Sequence, residues 1–183
     1  EFSKKGLSNV VIVADVQTRG RGRFRRKWYS AEGGLWMSIL LKPENAGNLQ
    51  YLTFIAAIAV VKSIKKLTNI STNIKWPNDV HYNGRKLCGI LTEGIFGREN
   101  YAVVGIGVNA NQADFPSAIK DIATSLRIIS KKTVDIGKLL KNIVDEFFVL
   151  YNKLYNKGRL EDLSKIWRKY CDTINRDITA ITR

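Results

Sequence analysis

The residues best suited to chemistry form a cationic run near the N-terminus. Six cations occupy nine positions with no acid among them, namely Arg19, Arg21, Arg23, Arg25, Arg26 and Lys27. The first of them alternate with glycines, as Gly20-Arg21-Gly22-Arg23. Glycine lets the backbone approach a ligand closely, and each guanidinium donates paired hydrogen bonds to phosphate or carboxylate. The run therefore predicts an anion-binding loop that is mobile when empty and ordered over a bound anion.

A second group, Lys75-Trp76-Pro77-Asn78-Asp79, places a cation, an amide and a carboxylate around a proline-fixed turn. A carboxylate beside a lysine can hold or deprotonate an incoming amine. The alternative is an ordinary turn in which Asn78 and Asp79 satisfy their own backbone, and for the pentapeptide alone this alternative is favoured.

Two further groups lie on expected strands. Lys86 begins one strand, where it is either a functional cation or an edge-strand lysine that discourages sheet pairing. Asn109 and Asn111 end the next strand, and they are either turn formers or amides that read an adenine edge. The Gly105-Ile106-Gly107 segment before them is not a dinucleotide fingerprint, because no third glycine follows it.

The hydrophobic pattern predicts the elements that carry these groups. Expected strands span residues 10–16, 35–41, 73–76, 86–96 and 101–109, and expected helices span residues 49–67, 118–129, 136–155 and 160–170. The first strand is expected to be buried on both faces, and Asn83-Gly84 predicts a type I′ hairpin. Because strands and helices segregate, we expect an α+β domain with a mixed, mostly antiparallel sheet and helices on one face.

Composition limits the classes of protein to consider. The chain has 183 residues, 45% of them hydrophobic, which excludes general disorder. Its longest apolar stretch, which includes residues 55–61, is too short to span a bilayer. Cys88 and Cys171 form no CxxC pair, which excludes a disulfide scaffold and a cysteine zinc site and favours a cytoplasmic location. The net charge of +14 favours an anionic partner. The single histidine, His81, is expected to be a surface strand residue without a catalytic role.

Together these groups resemble the catalytic domain of biotin protein ligase (biotin–[acetyl-CoA-carboxylase] ligase). The motifs that carry the resemblance are Gln17, Gly20–Arg23, Arg26, Trp28-Tyr29-Ser30, Gly33-Gly34-Leu35, Lys75–Asp79, Lys86–Leu91, Gly105–Asn111 and Thr124-Ser125-Leu126. They extend over nearly the whole chain. Each motif alone is weak, but KWPND at this distance after GRGR and before KLCGIL is specific. The resemblance implies the fold shared by class II aminoacyl-tRNA synthetases and biotin ligases.

The resemblance also implies a two-step reaction. ATP, accompanied by Mg²⁺, activates biotin to biotinyl-5′-AMP, and a lysine of a biotin carboxyl carrier protein, an acidic acceptor domain, then takes the biotinyl group. No DNA and no membrane partner are expected from this chain, and a homodimer is among the assemblies that the resemblance allows.

Individual residues acquire expected roles from the resemblance. The expected catalytic residues are Arg21, Arg23, Lys75, Asp79 and Lys86. Biotin is expected to contact Gln17, Gly20, Arg21, Gly22, Arg23, Lys86, Gly89 and Leu91. The nucleotide is expected to contact Arg26, Trp28, Asn109 and Asn111, and no residue is expected to be a metal ligand.

The chain departs from the family pattern in several places. Arg25 replaces a usual glycine and Cys88 a usual alanine. The family's Ser-Thr-Asn biotin segment is expected upstream of residue 1, and no repressor role is expected because the winged helix of repressor-type ligases is absent. Residues 1–172 are expected to form the catalytic domain, and residues 173–183 to begin a truncated C-terminal SH3-like β-barrel.

Two other readings of the sequence remain. A lipoate–protein ligase shares the fold and the acyl-adenylate chemistry, although the WYSAEGG segment followed by KWPND favours biotin. A non-enzymatic basic nucleic-acid-binding module explains the cations but not the other motifs, and its binding is expected to weaken steeply with salt.

Overall fold

The computed structural model describes residues 3–43 and 46–177. Its six strands are β1 (Val10–Ala14), β2 (Leu35–Leu41), β3 (Asn73–Lys75), β4 (Asp79–Tyr82), β5 (Arg85–Ile95) and β6 (Tyr101–Val108). Its α-helices are α1 (Gln50–Thr68), α2 (Leu126–Ser130), α3 (Ile136–Leu150) and α4 (Leu160–Tyr170). A π-helical turn, Tyr151–Tyr155, extends α3, and short 3₁₀ turns cover Ser3–Lys5, Arg23–Arg25 and Ala46–Asn48. No helix within the described ranges is long and apolar enough to cross a bilayer.

The strands form one sheet in the order β1-β2-β6-β5-β4-β3, and neighbouring strands pair antiparallel throughout. The predicted α+β class is therefore confirmed. The Asn-Gly hairpin is confirmed as well, since Asn83 and Gly84 both have positive φ angles, of 49° and 78°, between β4 and β5.

The helices cover one face of the sheet. Helix α1 packs against β5, α3 and α4, and its middle is buried on nearly every side. Thr53 of α1 and Thr92 of β5 share a hydrogen bond of 2.8 Å between their hydroxyls. The opposite face of β5 and β6 is left for the site described below.

The first strand differs from its prediction. It ends at Ala14 rather than residue 16, and it is the terminal strand of the described sheet, so it is only partly buried. Ile12 and Val13 are 39% and 46% exposed. A β-branched run specifies an extended backbone, but it does not specify whether the strand lies at the centre or the edge of the sheet.

The predicted helix over residues 118–129 is wrong except at its end, where α2 covers Leu126–Ser130. The preceding residues run beside the start of β5 instead. Lys86 donates its backbone N–H to Ile122 O at 2.7 Å, and its carbonyl accepts from Thr124 N at 2.9 Å. Ser125 Oγ caps α2 by accepting from Ile128 N at 3.1 Å.

His81 lies on a strand as predicted, but the prediction that it is at the surface is wrong, because it is only 9% exposed. Its Nε2 lies 3.0 Å from Asp172 Oδ2, on the segment after α4. Of the expected barrel start, residues 178–183 lie outside the described residues.

Candidate active site

A cavity of about 900 Å³ lies over the open face of β5 and β6. Its floor is made by three cross-strand pairs, Gly89–Gly107, Leu91–Gly105 and Glu93–Val103. The alternate residues turn their side chains to the other face, because side chains alternate along a strand, although Ile90 and Ile106 also border the cavity. Cys88, Val104 and Val108 are accordingly fully buried in the core. One face of the two strands thus builds the core, and the other builds the floor of the cavity.

Two of the floor glycines make room for an indole. A Cβ atom at Gly107 would lie 2.6 Å from Trp28 Nε1, and one at Gly89 would lie 3.1 Å from Trp28 Cζ3. Trp36 meets the same indole edge to face, with ring centroids 6.3 Å apart. Among the described residues, no group accepts a hydrogen bond from the buried Trp28 Nε1. The indole therefore gives the cavity an apolar surface, while its N–H is buried against Gly107.

The loop that carries the arginines, residues 17–30 and here called the arginine loop, faces this floor. Hydrogen bonds join its two ends. Gln17 N donates to Ser30 O at 3.1 Å, and Ser30 Oγ donates to Gln17 Oε1 at 2.8 Å. Trp28 N donates to Gly20 O at 2.9 Å. A Cβ at Gly20 would lie 2.5 Å from Ser30 Oγ and 2.7 Å from Trp28 O. Only glycine fits this crossing without displacing the chain.

The tip of the loop has a strained backbone. Phe24 and Arg25 both have positive φ, of 56° and 58°, although neither is glycine. Such a conformation costs a side-chain-bearing residue roughly 1–2 kcal/mol. Phe24 is 81% exposed, and the Arg23 guanidinium lies 5.1 Å from its ring centroid. Few contacts therefore hold the tip in place.

Most of the loop cations border the cavity. All of them except Arg25 line it, namely Arg19, Arg21, Arg23, Arg26 and Lys27. Arg21 Nη2 donates to Glu93 Oε2 at 2.9 Å. Sequence reasoning missed Glu93, which is 72 positions from Arg21. The signal was its spacing of two and four residues from Leu91 and Gly89 on the same strand face.

Lys86 lies between a carboxylate and an aromatic ring. Its Nζ is 2.6 Å from Asp79 Oδ1 and 5.2 Å from the Trp28 ring centroid. Asp79 is brought there because β4 pairs with β5 so that Asp79 is opposite Gly89. The KWPND turn thus contributes its carboxylate to the cavity.

The amide of the same turn has a structural partner. Asn78 Nδ2 donates to Ile90 O at 2.7 Å, and Ile90 N donates to Asn78 O at 2.9 Å. The Trp76–Pro77 peptide is cis. The Asn78 amide therefore bonds to β5 rather than to the backbone of its own turn, which differs from the turn interpretation, while Asp79 faces Lys86.

The structure does not bring Lys75 and Asn111 to the cavity lining. Lys75 is exposed on β3, opposite Asp79 in the strand register. Asn111 donates through Nδ2 to Val134 O at 2.9 Å and accepts from Val134 N at 2.8 Å. The Asn111 amide therefore fixes the chain before α3. Asn109 does line the cavity, and its Nδ2 donates to Thr124 O at 3.0 Å.

The remaining wall of the cavity was not predicted. It consists of Phe115 and Pro116 together with residues of the segment 118–129 that the sequence assigned to a helix, namely Ala118, Ile119, Ile122 and Ala123. This wall is largely apolar, so the cavity combines a cationic side with an apolar floor and wall. Such a surface suits a ligand that carries both an anionic group and flat or apolar rings.

The thiol beneath the floor takes no part in this chemistry. Burial raises the pKa of Cys88, and the nearby Asp79 carboxylate adds to the shift. Cys88 therefore stays protonated and is not a nucleophile at neutral pH. Within the described ranges, no three His, Cys, Asp or Glu side chains cluster so as to hold a metal ion.

Known proteins match this chain along most of its length. The sequence pattern of the Biotin/lipoate A/B protein ligase family matches residues 2–111. The chain belongs to this family. It is 38% identical to the biotin protein ligase from Aquifex aeolicus in complex with biotin and ATP, with a TM-score of 0.79 over 87% of this chain and 68% of that one.

Curated relatives of this family member include the bifunctional ligase/repressor BirA of Bacillus subtilis (strain 168). It is 40% identical over 178 residues, which are 94% of this chain and 54% of that protein. The biotin--[acetyl-CoA-carboxylase] ligase of Mycobacterium tuberculosis is 32% identical over 76% of this chain and 53% of that protein. The chain thus spans about half the length of these relatives.

Proposed function

We propose that this chain is the catalytic part of an ATP-dependent biotin–protein ligase. The observation that carries the proposal is the convergence of the arginine loop, Lys86 and the Trp28 indole over a glycine floor. The names of the Aquifex and Mycobacterium relatives support biotin and ATP as the substrates.

In the first step, a carboxylate oxygen of biotin attacks the α-phosphorus of ATP. A P–O bond forms to the carboxylate, the bond from the α-phosphorus to the bridging oxygen breaks, and pyrophosphate leaves. Two anionic groups must approach each other, so fixed cations lower the barrier most. Arg21, Arg23 and Lys86 supply those cations.

The remaining cavity residues bind the two substrates. Biotin is held by Gln17, Gly20, Gly22, Gly89 and Leu91, together with the cations of the first step. Arg26, Trp28 and Asn109 hold the nucleotide. The arrangement supports these roles because all of these residues line the one cavity. Asn111 acts indirectly on the nucleotide site, because it fixes the chain that follows Asn109.

In the second step, a lysine amine of the acceptor attacks the acyl carbon of biotinyl-5′-AMP. The amide C–N bond forms, the acyl C–O bond breaks, and AMP leaves. Asp79 orients the amine and takes the proton that it loses. Its 2.6 Å distance to Lys86 Nζ supports this role, since the carboxylate lies inside the cavity at a place that an ammonium group can reach. Lys75 lies outside the cavity, where it is placed to meet the acceptor protein.

Magnesium fits this proposal as part of the nucleotide substrate. Mg²⁺ prefers one or two carboxylates plus phosphate oxygens and water. The cavity carboxylates Asp79 and Glu93 are already paired with Lys86 and Arg21. These residues therefore do not form a protein cage for the ion, and ATP phosphates would carry it.

The acceptor in this proposal is a biotin carboxyl carrier protein in the cytoplasm. A net charge of +14 would attract an acidic acceptor domain and speed its encounter. We limit the proposal to the ligase reaction, because most of the arginines that argue for a nucleic-acid surface line the cavity.

The test is ATP–pyrophosphate exchange by this chain with biotin, with lipoate and with neither. The proposal expects exchange that requires biotin. Exchange that requires lipoate would assign the chain to the lipoate branch of the family. Exchange with neither, together with DNA binding that weakens steeply as salt rises, would replace the proposal with a nucleic-acid-binding function.

A further inference from the structure

The chain after α4 covers the outer edge of β3. Cys171 forms a parallel bridge with Ile74, and Asp172 N donates to Ile74 O at 3.1 Å. Trp76 N donates to Thr173 Oγ1 at 3.0 Å. The backbone that enters the KWPND turn is therefore held by β4 on one side and by residues 171–173 on the other.

A histidine–carboxylate pair joins the same segment to β4. His81 Nε2 lies 3.0 Å from Asp172 Oδ2, and the two side chains are only 11% and 19% exposed. The Arg176 guanidinium lies 3.8 Å from the same carboxylate oxygen. The surface pair Lys141–Asp145, by contrast, has side chains that are 74% and 58% exposed. Exposed pairs contribute little, whereas removing one partner of a shielded pair leaves a costly unpaired group.

These contacts flank the proposed proton acceptor of the second step. Asp79 lies three residues after Trp76 and two residues before His81, so both of its chain neighbourhoods are tied to residues 172–173. Neither His81, Asp172 nor Thr173 lines the cavity. Lys86, in contrast, is also fixed by its backbone bonds to Ile122 and Thr124.

We propose that His81, Asp172 and Thr173 are positioning residues that hold the Lys75–Asp79 turn for the transfer of the biotinyl group to the acceptor lysine. This inference rests on the proposed function. Removing the contacts of His81, Asp172 and Thr173 lets Asp79 move relative to the incoming amine, while the arginine loop and Lys86 keep their own contacts. The transfer step therefore depends on these contacts more than the adenylation step does.

The experiment compares four variants with the unmodified chain. His81→Phe removes the polar partner of Asp172, His81→Gln keeps a hydrogen-bonding group, and Thr173→Val removes the acceptor of the Trp76 N–H. Asp145→Asn, which breaks an exposed pair on α3, is the matched control. Each variant is assayed for biotin-dependent ATP–pyrophosphate exchange. Each is also assayed in a single turnover, from preformed biotinyl-5′-AMP to a biotin carboxyl carrier domain.

We expect His81→Phe and Thr173→Val to slow transfer about tenfold while exchange stays near the unmodified rate. His81→Gln should restore most of the transfer rate, and Asp145→Asn should change neither rate. Attack of hydroxylamine on the bound adenylate should be unaffected in every variant, because this small nucleophile does not need the turn to orient it.

Equal loss of exchange and transfer, or transfer at the unmodified rate in Thr173→Val, would overturn the inference. Should His81→Phe fail to fold, Thr173→Val still decides the question, because it replaces one partly exposed hydroxyl. Failure of the proposed function looks different, since the unmodified chain itself would then show no biotin-dependent exchange.

Discussion

The floor of the cavity and the loop that faces it are built on opposite principles. The floor lies on β5 and β6, which pair without interruption from Cys88–Val108 to Ile95–Tyr101 and rest on a fully buried layer. The loop returns on itself through a few backbone hydrogen bonds, and its tip holds Phe24 and Arg25 at positive φ.

The difference shows where rigidity is placed. The floor fixes Lys86, Trp28 and the glycine surface before any ligand arrives, which is what preorganised electrostatic catalysis requires. The loop brings mutually repelling cations, and its Arg21–Glu93 pair is exposed enough to exchange for a ligand anion. The first three predictions below test whether the floor carries most of the rate and the loop adds retention of the adenylate, and the fourth tests the strain at the loop tip.

The largest effect is expected at Lys86. Lys86→Met removes the cation that the floor holds beside Asp79 and over Trp28. Biotin-dependent ATP–pyrophosphate exchange should fall about 10²–10³-fold. Lys66→Met, at an exposed position of α1, is the control and should exchange at the unmodified rate. Unchanged exchange in Lys86→Met would mean that the floor does not supply the charge.

The next effect compares two glycines of one strand. Gly107→Ala would place Cβ 2.6 Å from Trp28 Nε1, whereas the closest atom to a Cβ at Gly105 is Leu91 O at 3.4 Å. We expect Gly107→Ala to displace the indole and slow exchange about ten- to a hundredfold, with a milder effect for Gly105→Ala. Trp28 fluorescence reports the displacement directly. If both variants behave alike, the indole is not seated on the floor as described.

The loop should show its effect in retention. Arg23→Ala removes a cavity-lining guanidinium from the loop. The lifetime of bound biotinyl-5′-AMP should shorten about tenfold, the loss of one charge-assisted hydrogen bond. Release of free adenylate is measured by rapid filtration, with the exposed Arg98→Ala as control. A variant that retains adenylate as long as the unmodified chain does would remove the retention role and leave Arg23 only its charge role in the first step.

The smallest effect concerns the loop backbone. Arg25→Gly relieves a positive φ of 58°, offset in part by the greater freedom of glycine in the unfolded chain. The free energy of unfolding should rise by about 0.5–1 kcal/mol, measured in urea. Arg26→Gly is the matched comparison, since Arg26 has a φ of −65°, and it should lower that free energy. The reverse order would show that the tip is not strained.

Periodic patterns predicted the parts of the fold that are fixed by local sequence. Helices α1 and α4 and the Asn83-Gly84 hairpin lie close to where the sequence places them, because spacing and turn chemistry act over a few residues. The segment 118–129 failed for a physical reason. Ile119 and Ile122 repeat at helical spacing, but they face the cavity instead of the core.

The residues of the cavity could be predicted where they belong to contiguous sequence motifs. They could not be predicted where they depend on contacts between residues far apart in the sequence. The arginines, Lys86 and Asp79 were named from the sequence, and the structure gathers them. The contacts of Glu93, His81 and Asn111 depend on which strands and loops become neighbours in space. A single sequence does not show which distant residues pair, so these contacts could be identified only from the structure.

The alternation of side-chain direction along β6 separates substitutions that affect ligand binding from substitutions that affect folding. Val103, Gly105 and Gly107 look into the cavity, whereas Ala102, Val104 and Val108 are sealed in the core. A substitution at one set alters which molecule fits, and a substitution one position away alters whether the chain folds. New ligand preferences can therefore be explored along the first set while the second stays constant. This division gives an engineer, or natural variation, a short row of positions at which to retune recognition.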